Sequence, residues 1–334
     1  MELLKKYISI LKNPNTSVKG KFTLHTLDSG NGDYLLLDEL THDWFPIHEN
    51  IPELLPTDLL YPATLAYFKE HYTAKIEELG LKFPVLSDDE KGQLAQRNHF
   101  DSFSEDENFS YDDFENLPFW IAVDEYVKNY YNLAEQKDCF VLDVGCGNGR
   151  SIERFIPDNA DIIGIDISRK MLKKAIGRTK TANALLMVGD ATHPPFVDDC
   201  FDFCVTSGVL SNLPDPRQTC QSIYSMLKKG GIHLGLENNK SIFRLPFDIL
   251  NSITSIWKNE KGKEPELNAK TIKDWYSNTD IEISSESMVF LPPQMFSKTS
   301  VEAAKKRLRK SDKFFKSIGF SKQGGLITFK VKKV

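Results

Sequence analysis

Cys139-Phe-Val-Leu-Asp-Val-Gly-Cys-Gly-Asn-Gly-Arg150 decides how the rest of the chain is read. Phe140 to Val144 is apolar apart from Asp143 and predicts a buried strand. It runs into Gly145-Cys146-Gly147-Asn148-Gly149, where alternate glycines let the backbone turn sharply and let a ligand approach with no Cβ in the way. A helix predicted from Arg150 places unpaired N–H groups and a positive dipole end behind that turn. Spacing separates the nucleotide sites such a turn can serve. A dinucleotide fingerprint, G-x-G-x-x-G, requires glycine at 150, where this chain has Arg150. An NAD-dependent dehydrogenase is therefore the least favoured reading.

Beyond the turn the apolar runs recur. Ala160-Asp-Ile-Ile-Gly-Ile-Asp166-Ile167 is apolar almost throughout, as a strand covered on both faces must be. Ser168 is placed to cap the helix that follows, Arg169 to Ile176. Asn183-Ala-Leu-Leu-Met-Val-Gly-Asp190-Ala191 predicts a third strand and Phe203 to Leu210 a fourth. A helix over Asp215 to Lys229 leads to a fifth strand, Ile232 to Glu237. Open parallel sheets bind ligands at the carboxyl ends of their strands, which is where Asp166, Asp190, Ser207 and Val209 fall. An acid ending the second strand can accept hydrogen bonds from both hydroxyls of a ribose.

These strand-end motifs, in this order, resemble those of the class I S-adenosylmethionine-dependent methyltransferases, the glycine turn matching motif I and Asp166 motif II. The resemblance implies an α/β fold with a doubly wound, mostly parallel, seven-stranded Rossmann-like sheet. It also implies S-adenosylmethionine as cofactor. The cofactor-binding candidates it carries over are Asp143, Gly145, Cys146, Gly147, Asn148, Gly149, Asp166, Ile167, Asp190, Ala191, Ser207 and Val209. In the family the acid matching Asp190 accepts from the adenine amino group. Pro194-Pro-Phe-Val-Asp-Asp-Cys-Phe-Asp202 and Leu227-Lys-Lys-Gly-Gly231 are further features in common.

Composition sets the surroundings. With 334 residues, 40% hydrophobic and 27% charged, the chain suits one large α/β domain plus a smaller one. A net charge of −5 argues against a dedicated nucleic-acid binder, and no DNA partner is expected. Five cysteines without paired spacing suggest reduced thiols. Neither a leader-like N-terminus nor a run of about 18 apolar residues is present, so a cytoplasmic location is expected.

Residues 1–60 are expected to form a small β-rich domain. A short amphipathic helix precedes Asn13-Pro14, and Phe22 to Leu27 and Tyr34 to Leu37 flank a turn cluster, hence a hairpin. Phe45-Pro-Ile47 and Ile51-Pro-Glu-Leu-Leu55 resemble the close of a small zinc-ribbon-like family that includes the activator subunit of tRNA and release-factor methyltransferases. That family's two cysteine pairs are missing, since the first cysteine here is Cys139, and His25, His42 and His48 do not replace them. The resemblance therefore implies a ribbon without metal. An unrelated β-rich extension is the alternative.

Residues 61–135 are expected to connect the two parts, with helices over Leu59 to Gly80 and Pro118 to Leu133. The acidic stretch between them is interleaved with aromatics, and Tyr111, Phe119 and Trp120 are candidates for a lid or for simple tethering. The methyltransferase domain, 136–334, carries an expected insertion at about 239–270. Ile281 to Val289 and Leu326 to Val331 predict the closing strands. Val301 to Phe320 predicts a basic amphipathic helix, which suits either a solvated face or weak contact with an anionic membrane surface.

Chemistry on the acceptor side is less legible. Related methyltransferases often carry histidine just after the fourth strand. Here Val209-Leu-Ser211-Asn212-Leu213 offers no base. His193, His233 and Glu237 are alternatives, and none is assigned as catalytic. The leading reading is methyl transfer to a small-molecule or lipid-like acceptor, with 241–257 and Pro292 to Phe296 in the acceptor pocket. Transfer to RNA or a translation protein, and an inactive cofactor-binding scaffold, are the other readings. The sequence fixes neither the acceptor nor the oligomeric state.

Overall fold

A computed structural model describes residues 1–86, 92–103, 115–136, 138–180, 183–243, 267–277, 279–291, 293–296 and 298–334. The strand read from the opening stretch is β5 (Phe140–Val144), buried at every position. Its neighbours are β6 (Asp161–Asp166), β7 (Ala184–Gly189), β8 (Phe201–Ser207) and β9 (Leu227–Asn238). All are parallel to β5 through register such as Val144 with Ile165 and with Thr206. The antiparallel strands β10 (Ile281–Met288) and β11 (Leu326–Lys333) close that side, β11 lying between β9 and β10.

The sheet departs from the expected seven strands. Among the described residues it has eleven, in the order β1-β2-β3-β4-β7-β6-β5-β8-β9-β11-β10. The added strands come from the N-terminal region: β1 (Phe22–Asp28), β2 (Asp33–Asp38), β3 (Trp44–His48) and β4 (Ile51–Leu54). The predicted hairpin is present, Leu24 facing Leu36 across it. Glu53 and Leu54 of β4 then pair in parallel with Val188 and Gly189 of β7. An otherwise unpaired strand edge is thereby covered, which is the physical reason for the longer sheet. Apolar clusters fill both faces.

The helices among the described residues are α1 (Glu2–Tyr7), α2 (Pro62–Glu78), α3 (Gly92–Phe103), α4 (Pro118–Tyr131), α5 (Arg150–Arg154), α6 (Arg169–Arg178), α7 (Pro216–Met226), α8 (Ala269–Trp275) and α9 (Val301–Phe315). Ser168 caps α6 as expected, accepting from Met171 N at 3.2 Å. The basic segment is α9 followed by a wider turn, Lys316–Phe320. None of the described helices is long and apolar enough to cross a membrane. The apolar stretch 241–257 lies outside the described residues from 244 on, as does Tyr111.

A buried ion pair joins the added strands to the parallel part. Arg169, at the start of α6, donates to Glu53 Oε1 at 2.9 Å and to the carbonyl of His48 at 2.6 Å. Burial pushes the Glu53 carboxyl up, and the Arg169 guanidinium works against that push. Thr64 on α2 completes the site, donating to Glu53 at 2.7 Å. R169M removes one partner and strands the other. Urea unfolding is expected to show a loss of about 3–5 kcal/mol.

Candidate functional site

The carboxyl ends of β5 to β8 converge on a cleft of about 190 Å³. Its floor is the glycine turn, and its backbone conformation explains the composition. Gly145, Gly147 and Gly149 have φ of +69°, +52° and +85°. A Cβ on Gly145 would lie 2.5 Å from Val209 Cγ2, so only glycine lets the two strand exits meet. The N–H groups of Gly145 and Cys146 both donate to the carbonyl of Ile165, at 2.8 and 3.0 Å. Gly149 closes the turn as the residue before α5.

Asp166 holds the turn from the next strand. One carboxylate oxygen accepts from Gly147 N and the other from Ser168 N, both at 2.8 Å. Burial raises its carboxyl to about 6, against the pull of those N–H groups. Each oxygen keeps further acceptor capacity toward the cleft. Asp190 is buried and lines the cleft at the end of β7. Its oxygens accept from Thr192 N at 2.8 Å and Thr192 Oγ1 at 2.6 Å.

Ten of the sequence candidates meet in this cleft: Gly145, Cys146, Gly147, Asn148, Asp166, Ile167, Asp190, Ala191, Ser207 and Val209. Two do not line it. Gly149 faces away, where a Cβ would meet Thr179 at 2.8 Å. Asp143 lies beneath the turn, and neither carboxylate oxygen has a hydrogen-bond partner among the described residues. Burial raises it to about 8, with the nearby charge of Asp166 adding to the rise.

The two described lid candidates are placed elsewhere. Phe119 is buried against Phe296, ring centres 5.2 Å apart, and Trp120 lies under the Arg150 guanidinium at 5.1 Å. Phe100 of α3 and Glu115 line the cleft instead. Glu115 accepts from Asn148 in the turn at 3.3 Å and from Arg178 at 2.6 Å. The sequence marked this acidic segment but carried no signal for which of its residues reach the turn. Arg150, which replaced the third glycine of a dinucleotide site, pairs with Asp124 of α4.

The three candidate bases also fall outside the cleft lining. His233 is fully buried between Thr206 and Tyr276, and burial lowers it to about 3. His193 bonds Asp190 at 3.2 Å and Gln218 at 2.8 Å, and the Asp190 carboxylate raises it. Glu237 has a different task. From β9 it accepts Val209 N at 3.0 Å, Leu210 N at 2.9 Å and Ser211 N at 3.4 Å, and Ser211 Oγ donates to it at 3.2 Å. One carboxylate thus shapes the loop that brings Val209 and Asn212 to the cleft. E237A leaves those buried N–H groups unpaired, and urea unfolding is expected to show a loss of about 3 kcal/mol or more.

Comparison with known proteins follows this geometry. Residues 142–235 match the family model described as a methyltransferase domain. The demethylmenaquinone methyltransferase of Lactobacillus johnsonii is 34% identical over 99 residues, covering 28% of this chain and 41% of that protein. That of Staphylococcus aureus strain MRSA252 is 32% identical over 115 residues, covering 33% and 47%. The chain therefore spans less than half the length of these two relatives. A chain from the Haloferax volcanii complex of the Trm112 methyltransferase activator with a methyltransferase superposes with a TM-score of 0.49 at 19% identity. It covers 70% of this chain and 96% of that one. Phosphoethanolamine N-methyltransferase 2 of Haemonchus contortus, in complex with S-adenosyl-L-methionine, gives 0.43 at 17% identity, covering 76% and 62%. Residues 142–235 are thus a methyltransferase domain.

Proposed function

We propose that this chain, built around that methyltransferase domain, moves a methyl group from S-adenosylmethionine to a small-molecule or lipid-like acceptor. The observation that carries the reading is the meeting of the Gly145–Gly149 turn, Asp166 and Asp190 in one cleft at the carboxyl edge of the sheet. The residues fit the donor on two counts. Gly145 lets Val209 close onto the turn so that both line the cleft, and Asp143 beneath the turn is a buried acid with no hydrogen-bond partner among the described residues. In this reading Asp166 accepts from the ribose hydroxyls, while Asp190 and Ala191 receive the adenine edge. Each charged-acceptor bond contributes on the order of 1.5–3 kcal/mol.

When bound, S-adenosylmethionine supplies a methyl group already made electrophilic by its sulfonium. The chain's task is then chiefly orientation, which can supply roughly 7–11 kcal/mol of a barrier. The acceptor class draws its support from the demethylmenaquinone methyltransferases the chain resembles and from a cleft lined in part by Phe100 and Leu213.

Asp143 gives the reading a pH signature. Its carboxyl is raised to about 8 in the free protein, so below that pH it is mostly protonated. A cationic ligand above the turn favours the ionised form. Binding therefore releases a proton, and affinity for S-adenosylmethionine is expected to rise with pH from about 6 to about 8 and then level. Calorimetry in two buffers of different ionisation enthalpy reads the proton directly. D143N is expected to bind more weakly and to lose that pH dependence.

The acceptor is tested by supplying methyl-labelled donor and a cell extract to the pure protein. Label is expected in the organic-soluble fraction. Label in RNA or protein would replace the proposed acceptor class, and donor binding with no labelled product would indicate an inactive scaffold.

A further inference from the structure

We propose that the C-terminal end of α9, with Ile242 and Lys322 beside it, is a docking surface for an anionic lipid bilayer on the same edge of the sheet as the cleft. This goes beyond the proposed reaction, and it is read by binding without turnover.

The cations of α9 and of the turn after it divide into two sets, and Arg307 belongs with the first through its bond to the carbonyl of Met295. Lys305 and Arg309 pair with Glu125 of α4, and Lys316 pairs with Glu286 of β10. These fasten the helix to the domain. Lys306, Lys310 and Lys313 are exposed and have no ion-pair partner among the described residues. They recur at helical spacing, so they share one outward face. Lys322, just past the helix, is exposed as well.

Large apolar side chains stand among these lysines. Phe314 is 57% exposed, Ile318 52% and Ile242 49%. They rest on a firm base, because Phe243 packs edge-on against Phe290, Phe315 and Phe320 with ring centres 4.9–5.7 Å apart. Apolar groups projecting from a lysine-bearing helix match the interface of an anionic membrane, where rings enter the headgroup region and ammonium groups meet lipid phosphates. A nucleic acid would use the lysines and leave the apolar groups in water. A second copy of the same face would set lysines against lysines.

The position of this surface gives it a purpose. Leu326, at the start of β11, pairs with Asn238 at the carboxyl end of β9. Asn239 ties the turn before β11 to that end, donating to the carbonyls of Lys322 at 3.1 Å and Gly324 at 2.6 Å. Ile242 N donates to Gln323 Oε1 at 3.1 Å. The patch thus lies on the same edge of the sheet as the cleft, two strands along from Ser207. A bilayer seated there would bring an apolar acceptor to the cleft by lateral diffusion.

Flotation of the full chain with vesicles tests the proposal. Binding is expected to vesicles of equal parts phosphatidylcholine and phosphatidylglycerol, to weaken as salt rises, and to be absent with phosphatidylcholine alone. K310Q/K313Q should lower the partition about thirtyfold, and F314S/I318S should also lower it. Both pairs are exposed, so thermal unfolding should stay unchanged. K19Q/K69Q, exposed lysines outside the patch, should bind as the parent does. Equal binding to neutral vesicles, no binding to either, undiminished binding of both patch variants, or binding to an RNA homopolymer in preference to vesicles would each overturn it.

Discussion

The carboxylate of Asp166 bridges two strands' worth of backbone, taking the N–H of Gly147 from the turn after β5 and that of Ser168 from the turn into α6. Much of the cleft depends on this bridge. It holds a glycine turn in left-handed conformations that would otherwise have little reason to persist. It also fixes the start of α6, whose Met171 lines the cleft and whose Arg169 reaches back to Glu53 in the N-terminal strands. A charged acceptor is well suited to the task, since each such bond outweighs a neutral one by roughly a factor of two.

The site is accordingly a set of backbone loops shaped by buried acids. Asp166 shapes the first loop, Asp190 the third through Thr192, and Glu237 the fourth through three N–H groups. Burial lifts Asp166 and Glu237 toward neutrality, to about 6 and about 7. Asp143 differs from these, because it has no hydrogen-bond partner among the described residues and is the most strongly raised of the three. A buried acid with nothing to accept is costly, and a cationic ligand above it removes that cost.

The glycine turn and the strand-end acids of this site were legible in the sequence for a physical reason. A parallel strand buried on both faces must be a continuous apolar run, so β5 to β8 stood out, and the glycines and acids at their ends broke the runs at the points where a ligand can sit. Side chains that reach the cleft from far along the chain left no such trace. Glu115 looks like one acid among many, and Glu237 like any polar residue ending a strand. The eleven-stranded sheet escaped for a similar reason. Pairing of β4 with β7 rests on backbone bonds between Glu53-Leu54 and Val188-Gly189, which no side-chain pattern announces. Arg150, read as excluding a dinucleotide turn, carries in the structure an ion pair to Asp124 that fastens α5 to α4.

The central claim is that the cleft recognises an adenosyl donor carrying one ribose. Calorimetric titration of the pure chain with S-adenosylmethionine and, separately, with NAD tests it most directly. The account predicts saturable one-site binding of S-adenosylmethionine that G145A abolishes, and no binding of NAD. Binding of NAD, or no binding of S-adenosylmethionine by a folded protein, would contradict it.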